Sequence, residues 1–573
     1  MEYLCKTVNK SGAFFEKYSY SVHLSPSNVL YNKYMTFFRF FRGLTEATMV
    51  LKRILGAALS AALLVSTLRL PVFADPPAVT GRTTSVPFTD VSGHWAEDAI
   101  HRWAEMGVIV GEGGNFRPDD PLTRAEMAVI LERIMRYKTV SQDYFADLAE
   151  DWYVDAIQKL RAAGVMQGDE NNRAAPSEAI TREAAVALIA RAFGLAPAQG
   201  DLPYADVEDI SSWAIGYVCA LTEAGYLQGG DNNCFFPTNS LTRAEAVTIF
   251  NNMITACIYE SGDHDFRPFE GLANFVIVAA DNVNILNFDI GGNILLTEGV
   301  DAKTIRLKTV KHHGEIWQHT PDGFHRHLKV ASYVVPVNEH LPTCSYDPER
   351  FVKDDKGIMT YADDARTAYF GVDVSSWQGD IDWHKLKKQG VYFAFIRLGY
   401  RGYESGVINL DTKFEDNIRG ALDAGIKVGV YFFSQALNAD EAWEEARFVL
   451  DNIKAYDISF PVVFDWETVS SNTARTNNMD TDTLCEAANV FCNTVADAGY
   501  IPMVYGNQNI SLLYYDLSRI QTFDFWYAEY KDQPTFYYDF NIWQYSSSAR
   551  LDGVPNAMID LNISFVDYSQ RKP

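Results

Sequence analysis

The chain has 573 residues, a formal net charge of −25 at neutral pH and 13% aromatic residues. One hydrophobic core rarely serves a chain of this length, so several domains are expected. The acidic balance argues against a nucleic-acid partner, whose phosphates need a basic surface, and leaves any anionic polymer to be met by individual Arg or Lys side chains.

In chain order, Met49-Val50-Leu51-Lys52-Arg53 is a short basic stretch, Ile54 to Leu68 an apolar one, and Val72-Phe73-Ala74 a small-residue cleavage site before Asp75. That order predicts a secretory signal peptide over 49–74 and export, with no permanent membrane anchor, because the apolar run is short for a span. Residues 1–48 are expected to be an extension upstream of a true start at Met49; the rival reading is a long basic leader or a membrane-surface segment. Residues 75–87, rich in Pro, Thr and Ser, read as a linker.

An internal repeat follows. Phe88-Thr89-Asp90-Val91, Phe145-Ala146-Asp147-Leu148 and Tyr204-Ala205-Asp206-Val207 open three copies, over 88–140, 141–199 and 200–258. Each continues to a Trp (Trp95, Trp152, Trp213), a Gly turn, and a pentad: Leu122-Thr123-Arg124-Ala125-Glu126, Ile180-Thr181-Arg182-Glu183-Ala184 or Leu241-Thr242-Arg243-Ala244-Glu245. Thr followed three residues later by Glu is a capping box that starts a helix. Copy two departs, with Ala184 in the Glu position. Beyond starting a helix, the pentads place Arg124, Arg182 and Arg243 where backbone N–H groups face outward, a candidate anion site. The copies resemble S-layer homology domains. The resemblance implies three helical repeats that bind a secondary cell-wall polymer, commonly with anionic pyruvylated sugars, through these arginines and Trp95, Trp152 and Trp213. Arg124 and Arg243 are expected to matter more than Arg182.

Residues 259–368 carry short β-rich runs around Gly291-Gly292-Asn293, which predict a small β-rich spacer with a hairpin. His312, His313, His319, His325 and His327 crowd it without metal-ligand spacing, and a solvated hairpin is expected there. Cys5, Cys219, Cys234, Cys257, Cys344, Cys485 and Cys492 show no metal-ligand spacing either. Cys485 and Cys492, about 10 Å apart on one helix, are too far for a disulfide and are expected to be buried thiols.

From residue 369 the pattern alternates strand and helix. Val391 to Leu398, Lys427 to Phe433, Phe460 to Phe464 and Ile501 to Tyr505 read as strands; helices ending at Gly425 and Gly499 lie between them. This rhythm predicts a parallel sheet closed as a (β/α)8-like barrel, irregular after Ser511 where helices shorten, with active groups at the strands' C-terminal ends. The fold class expected for the whole chain is therefore multidomain: α-helical repeats, a β-rich spacer and an α/β barrel over 369–573.

Phe464-Asp465-Trp466-Glu467 carries the chemistry. Alternation along a strand puts Asp465 and Glu467 on one face, and two buried acids so close cannot both ionise, which leaves one as a proton donor. Asp373, Tyr431, Tyr505, Trp526, Gln544 and Asp560 fall near other strand ends. Gly371 to Gly379, Phe464 to Glu467, Ile542-Trp543-Gln544-Tyr545 and Ile559-Asp560-Leu561-Asn562 resemble, in order, the motifs of glycoside hydrolase family 25, the Chalaropsis-type lysozymes. The resemblance implies hydrolysis of the β-1,4 bond between N-acetylmuramic acid and N-acetylglucosamine in peptidoglycan, with no cofactor. Glu467 would be the general acid, Asp465 its partner, and Asp373 and Asp560 flanking carboxylates; Tyr431, Tyr505, Trp526 and Gln544 would contact substrate. A non-catalytic glycan-binding surface protein and a hydrolase of another N-acetylated polysaccharide are the rival readings. Stereochemistry stays open, since i, i+2 carboxyls on one strand fit either a retaining or an inverting separation. Net retention with the substrate's acetamido group as nucleophile is the favoured expectation.

Overall fold

The computed structural model describes residues 88–571 apart from Asp364, Pro555 and Asn556. The extension, signal peptide and linker expected over 1–87, and Cys5 with them, lie outside the described residues.

The three repeats fold as helix pairs: α1 (Glu97–Glu105) with α2 (Arg124–Met135), α3 (Val154–Ala162) with α4 (Arg182–Ala192), and α5 (Ile215–Glu223) with α6 (Arg243–Met253). Thr123 and Thr242 cap α2 and α6 in complete capping boxes with Glu126 and Glu245, whereas Thr181 caps α4 with no returning acid. The copies close on one another through a ring of backbone bonds. Leu122 N–H donates to the Leu241 carbonyl (2.8 Å), Leu241 N–H to Ile180 (2.9 Å) and Ile180 N–H to Leu122 (2.8 Å). The repeated Asp has a local task as well: Asp90, Asp147 and Asp206 each accept two backbone N–H groups from the loop ahead of a pentad.

α6 runs without a loop into β1 (Ile254–Ile258), and the next region is built of coils. β1, β3 (Phe275–Val278), β6 (Ile294–Leu296) and β9 (Ile316–Thr320) pair in parallel on one face; β2 (Gly262–Asp265), β4 (Val283–Leu286) and β7 (Arg306–Lys308) do so on another; β5 (Asp289–Ile290) pairs with β8 (Lys311–His312). This is a short parallel β-helix with about 20 residues per coil. The hairpin expected at Gly291-Gly292-Asn293 is therefore a coil corner, and the antiparallel hairpins are β9–β10–β11 (β10, Gly323–Val330; β11, Tyr333–Pro336).

Alternation divides the first face between two cores. Val276, Val278, Ile294 and Leu296 fill the coil interior, while Phe275, Ile277 and Leu295 join the core of the helical bundle. The bundle and the spacer share a core, a join that the residue pattern does not announce, and His319 and His327 are buried where a solvated hairpin is expected. His319 sits at the joint, its Nδ1 3.0 Å from Tyr137 Oη and its ring stacked 4.0 Å from Phe324, and burial holds its pKa down at about 4.

The barrel unit begins before residue 369. Leu341 and the hairpin β12 (Phe351–Lys353) and β13 (Met359–Tyr361) pack into its outer core, so the spacer proper ends near 337. Eight strands then close on themselves: β14 (Tyr369–Val374), β15 (Phe393–Arg401), β17 (Lys427–Ser434), β18 (Val462–Trp466), β19 (Pro502–Asn507), β20 (Asp524–Ala528), β21 (Ile542–Ala549) and β22 (Ile559–Ser564), with β16 (Ile408–Leu410) as an edge strand on β15. Helices α7 (Trp383–Lys388), α8 (Phe414–Asp423), α9 (Ala439–Ile453), α10 (Thr481–Asp497) and α11 (Gln508–Leu513) follow only the earlier strands. β20 to β22 are joined without α-helices, and β22 runs antiparallel to both neighbours. What is present is thus a closed eight-stranded β-barrel with partial helical cover, not a regular (β/α)8 repeat. Gly425 and Gly499, at φ +71° and +83°, end α8 and α10. Cys485 and Cys492 are buried free thiols on α10. The barrel interior is aromatic, and Gly371 is required there: a Cβ would lie 2.2 Å from the Phe393 ring.

Candidate functional site

Strand register brings the predicted acids to one end of the barrel. Asp373 on β14 lies opposite Asp560 on β22, and Asp465 on β18 lies beside Tyr505 on β19, which is beside Trp526 on β20. Val463 points into the barrel and Val462, Phe464 and Trp466 point out to the helices, so alternation carries Asp465 and Glu467 inward. Trp466 packs against Tyr514 on the outer side, at 5.3 Å.

All four carboxyls are harder to ionise than in water. Burial and then the Asp373 charge raise Glu467 to about 7. Burial, the Asp373 charge and a hydrogen bond to Asp373 push Asp560 up to about 9. Asp465 is raised well above the carboxylate range by burial and by Glu467 and Asp373. Asp373 is also raised by burial, but it accepts amide N–H bonds from Asn562 and Gln544, both 2.8 Å, which favour its anion. A consistent neutral-pH arrangement has Asp373 ionised, Asp560 sharing its proton with it, and Glu467 able to hold or release one. Asp465 Oδ1 is buried without a hydrogen-bond partner.

The aromatic candidates divide by exposure. Trp526 is buried, stacked 4.5 Å from Phe395, with Nε1 donating to Asn562 Oδ1 at 2.9 Å; Tyr505 is buried too and donates to Gln544 Oε1 at 3.1 Å. They form the floor beneath the acids. Tyr431 lies between, edge-on to Trp526 at 6.1 Å. Exposed aromatics at this end that are not among the sequence candidates include Trp377, 81% exposed just after β14, and Tyr530, whose hydroxyl donates to Gln544 Oε1 at 3.2 Å. Also outside the sequence candidates are Asn562, although period-two alternation from Asp560 marks that residue; Gln435, whose side-chain amide donates to the Glu467 carbonyl at 3.0 Å; and Arg397, which favours the Asp465 anion while tied to Asp411 at 2.7 Å.

The repeat arginines are not arranged as expected. The first helical N–H groups are already taken by the next copy: Arg124, Arg182 and Arg243 N–H donate to the carbonyls of Glu178, Asn239 and Asp120. No outward fan of backbone donors remains for an anion. The guanidinium groups cross between copies as well. Arg182 Nη1 meets Glu245 and Arg243 Nη1 meets Glu126, each at 2.5 Å, and Arg243 is buried. By the same rotation Arg124 should meet the acid of copy two, but Ala184 stands there. Arg124 Nε donates to the Ala174 carbonyl (2.7 Å), and among the described residues no carboxylate lies within ion-pair distance of its guanidinium. The departure in copy two thus unpairs Arg124 rather than weakening Arg182. Trp95, Trp152 and Trp213 remain 64%, 62% and 51% exposed. Among the described residues, no group of three metal-ligating side chains could hold an ion and no helix is long and apolar enough to cross a membrane.

Comparison with known proteins follows these two regions. Residues 372–554 match the family model for glycosyl hydrolases family 25, and residues 87–128, 144–186 and 203–247 match that for the S-layer homology domain. Among curated proteins, the chain is 31% identical over 175 residues to an amylopullulanase of Thermoanaerobacterium thermosulfurigenes and 30% identical over 178 residues to exoglucanase XynX of Acetivibrio thermocellus. These matches cover 29% and 30% of this chain but only 9% and 16% of the relatives. A solved family 25 glycosyl hydrolase from Bacillus anthracis is 25% identical, covering 36% of this chain and 93% of that one, with a TM-score of 0.31.

Proposed function

We propose that this chain, which joins a family 25 glycosyl hydrolase segment to three S-layer homology repeats, is a cell-wall-anchored muramidase of a bacterial surface. The carrying observation is the cluster of Asp373, Asp465, Glu467 and Asp560 at one mouth of a closed barrel, in which burial and mutual repulsion keep a proton on Glu467 near neutrality. Glu467 donates that proton to the glycosidic oxygen as the bond to the muramoyl anomeric carbon breaks. Asp465 takes up the acetamido N–H of the same sugar with its unpartnered oxygen and so directs the acetamido oxygen to the anomeric carbon. Asp373, held by Asn562 and Gln544, supplies negative charge opposite the developing oxocarbenium ion, with Asp560 as its proton-sharing partner. Water then opens the cyclised intermediate with net retention.

The repeats hold the enzyme on an anionic wall polymer, with Arg124 and the exposed Trp95, Trp152 and Trp213 as the contacts. Export by a leader over 49–74 completes the reading. Parallel pairing from β14 to β21 supports viewing the barrel as a (β/α)8 barrel that lacks its last helices and has its last strand reversed.

Digestion of purified peptidoglycan tests the assignment. Muramidase action leaves new reducing ends on N-acetylmuramic acid; ends on N-acetylglucosamine, or none, would refute it. NMR of the first product tests the nucleophile, because an initial α-anomer from the β-linked glycan excludes retention.

A further inference from the structure

Beside the acid cluster, a groove of about 590 Å³ opens between the β12–β13 hairpin and the loop after β20, lined by Lys353, Tyr530, Lys531, Thr535, Tyr545 and Ser546 among others. We propose that this groove is a subsite for a carboxylate-bearing peptide substituent on the glycan, with Lys353 as its main anchor. The proposal rests on the muramidase reading and adds a second recognition element to it.

Position is the first argument. Tyr530 belongs to both places: its hydroxyl bonds Gln544, which bonds Asp373, and its side chain borders the groove. A sugar seated over Asp373 would therefore lie one side chain, Tyr530, from the groove.

Chemistry is the second. In a chain of net charge −25, two ammonium groups line this one depression, together with the hydroxyls of Thr535, Ser546, Ser547 and Ser548 and the amide of Gln533. Asp532, the one acid lining it, holds Lys353 Nζ at 2.6 Å but is 89% exposed. Such a pair in water is weak and easily exchanged, so an incoming carboxylate can take the place of Asp532. Lys531 is held at 2.7 Å by Glu529, which is largely buried, and so is the less available cation.

Construction is the third. The hairpin lies outside the segment that matches the hydrolase family, yet it is not a passing linker. Phe351, Met359 and Tyr361 are buried in the barrel's outer core, Met359 N–H donates to Tyr545 Oη at 3.0 Å, and Lys353 Nζ lies 5.8 Å from the Tyr545 ring. Lys353 is thus presented from a packed element whose backbone is fixed without ligand, which lowers the ordering cost of binding.

The test uses the full chain, Lys353→Ala and Lys353→Glu, on peptidoglycan with intact peptide stems and on the same glycan stripped of them by an amidase. The expected result is a KM on stem-bearing glycan raised about fivefold or more by Lys353→Ala and further by Lys353→Glu, with kcat and the thermal midpoint unchanged. Neither variant should alter cleavage of stripped glycan. Equal KM values for the two substrates in the parent chain, or an equal shift on both in the variants, overturn the proposal. Calorimetric titration with soluble muramyl dipeptide separates this from failure of the muramidase reading. If the parent cleaves neither glycan, dipeptide binding that is lost in Lys353→Ala still supports the subsite, and binding that is absent or unchanged by the substitution refutes it.

Discussion

The helical repeats and the barrel both take charged groups out of water, and they treat them in opposite ways. In the repeats, Arg182 and Arg243 reach across to a carboxylate of another copy, so the buried charges cancel. In the barrel, four acids face one another and Arg397, whose charge acts on Asp465, is already engaged by Asp411. The difference is what separates scaffold from site. A cancelled pair is inert, whereas uncancelled like charges shift proton affinity into the range where chemistry at neutral pH becomes accessible. Arg124 is informative because one missing carboxylate leaves a scaffold guanidinium without its ion pair.

The largest expected effect breaks the barrel side of the comparison. Glu467→Gln removes the proton donor while keeping volume, and should lower kcat about 100-fold or more without altering wall binding; retention of more than about a tenth of the rate would reject Glu467 as the acid. The same residue sets two pH effects. With Glu467 as the proposed acid the reaction would need it protonated, so kcat/KM should fall as pH rises through about 7. Stability moves the same way: the folded-state pKa exceeds the unfolded value, the folded chain binds more protons between the two, and this contribution is lost as pH rises. Thermal midpoints of Glu467→Gln relative to the parent should therefore improve between about pH 5 and about pH 8.

On the scaffold side, Arg243→Ala strands Glu126 beside a buried gap and should destabilise the bundle by about 3 kcal/mol, read by denaturant unfolding. Little loss would mean that the pair is solvated. Because bundle and β-helix share Phe275, Ile277 and Leu295, that loss should extend to the β-helix transition, while the barrel unfolds separately.

A smaller effect tests the boundary between the two conditions. Arg124→Ala should weaken sedimentation with isolated walls about tenfold with little change in stability. Ala184→Glu should do the same by supplying the missing carboxylate, and unchanged wall affinity in both would remove Arg124 from the binding role. The smallest effect is expected at the rim, where Trp377→Ala should raise KM a few-fold through a lost stacking face and leave kcat in place.

Much of this molecule is legible locally. The capping boxes, the Gly stops at Gly425 and Gly499, and the shared face of Asp465 and Glu467 follow from residues three or fewer positions apart. The ordered motifs mark Asp373, Gln544 and Asp560, which strand pairing gathers at the same barrel mouth. The β-helix is legible in the sequence as a β-rich spacer but not as coils, because in-register parallel stacking leaves no turn signature and its side-chain alternation serves two different cores. The fate of the arginines was not legible either: whether a guanidinium is cancelled depends on a carboxylate some 60 residues away in another copy, and only closure of the three copies decides which acid meets which base. The sequence by itself determined the strands, helices, caps and the types of side chain at the mouth, since these depend on short-range sterics and alternation. Tertiary structure decided which charges are paired and which are not, because electrostatic energy depends on distance and burial and neither is a property of neighbours along the chain.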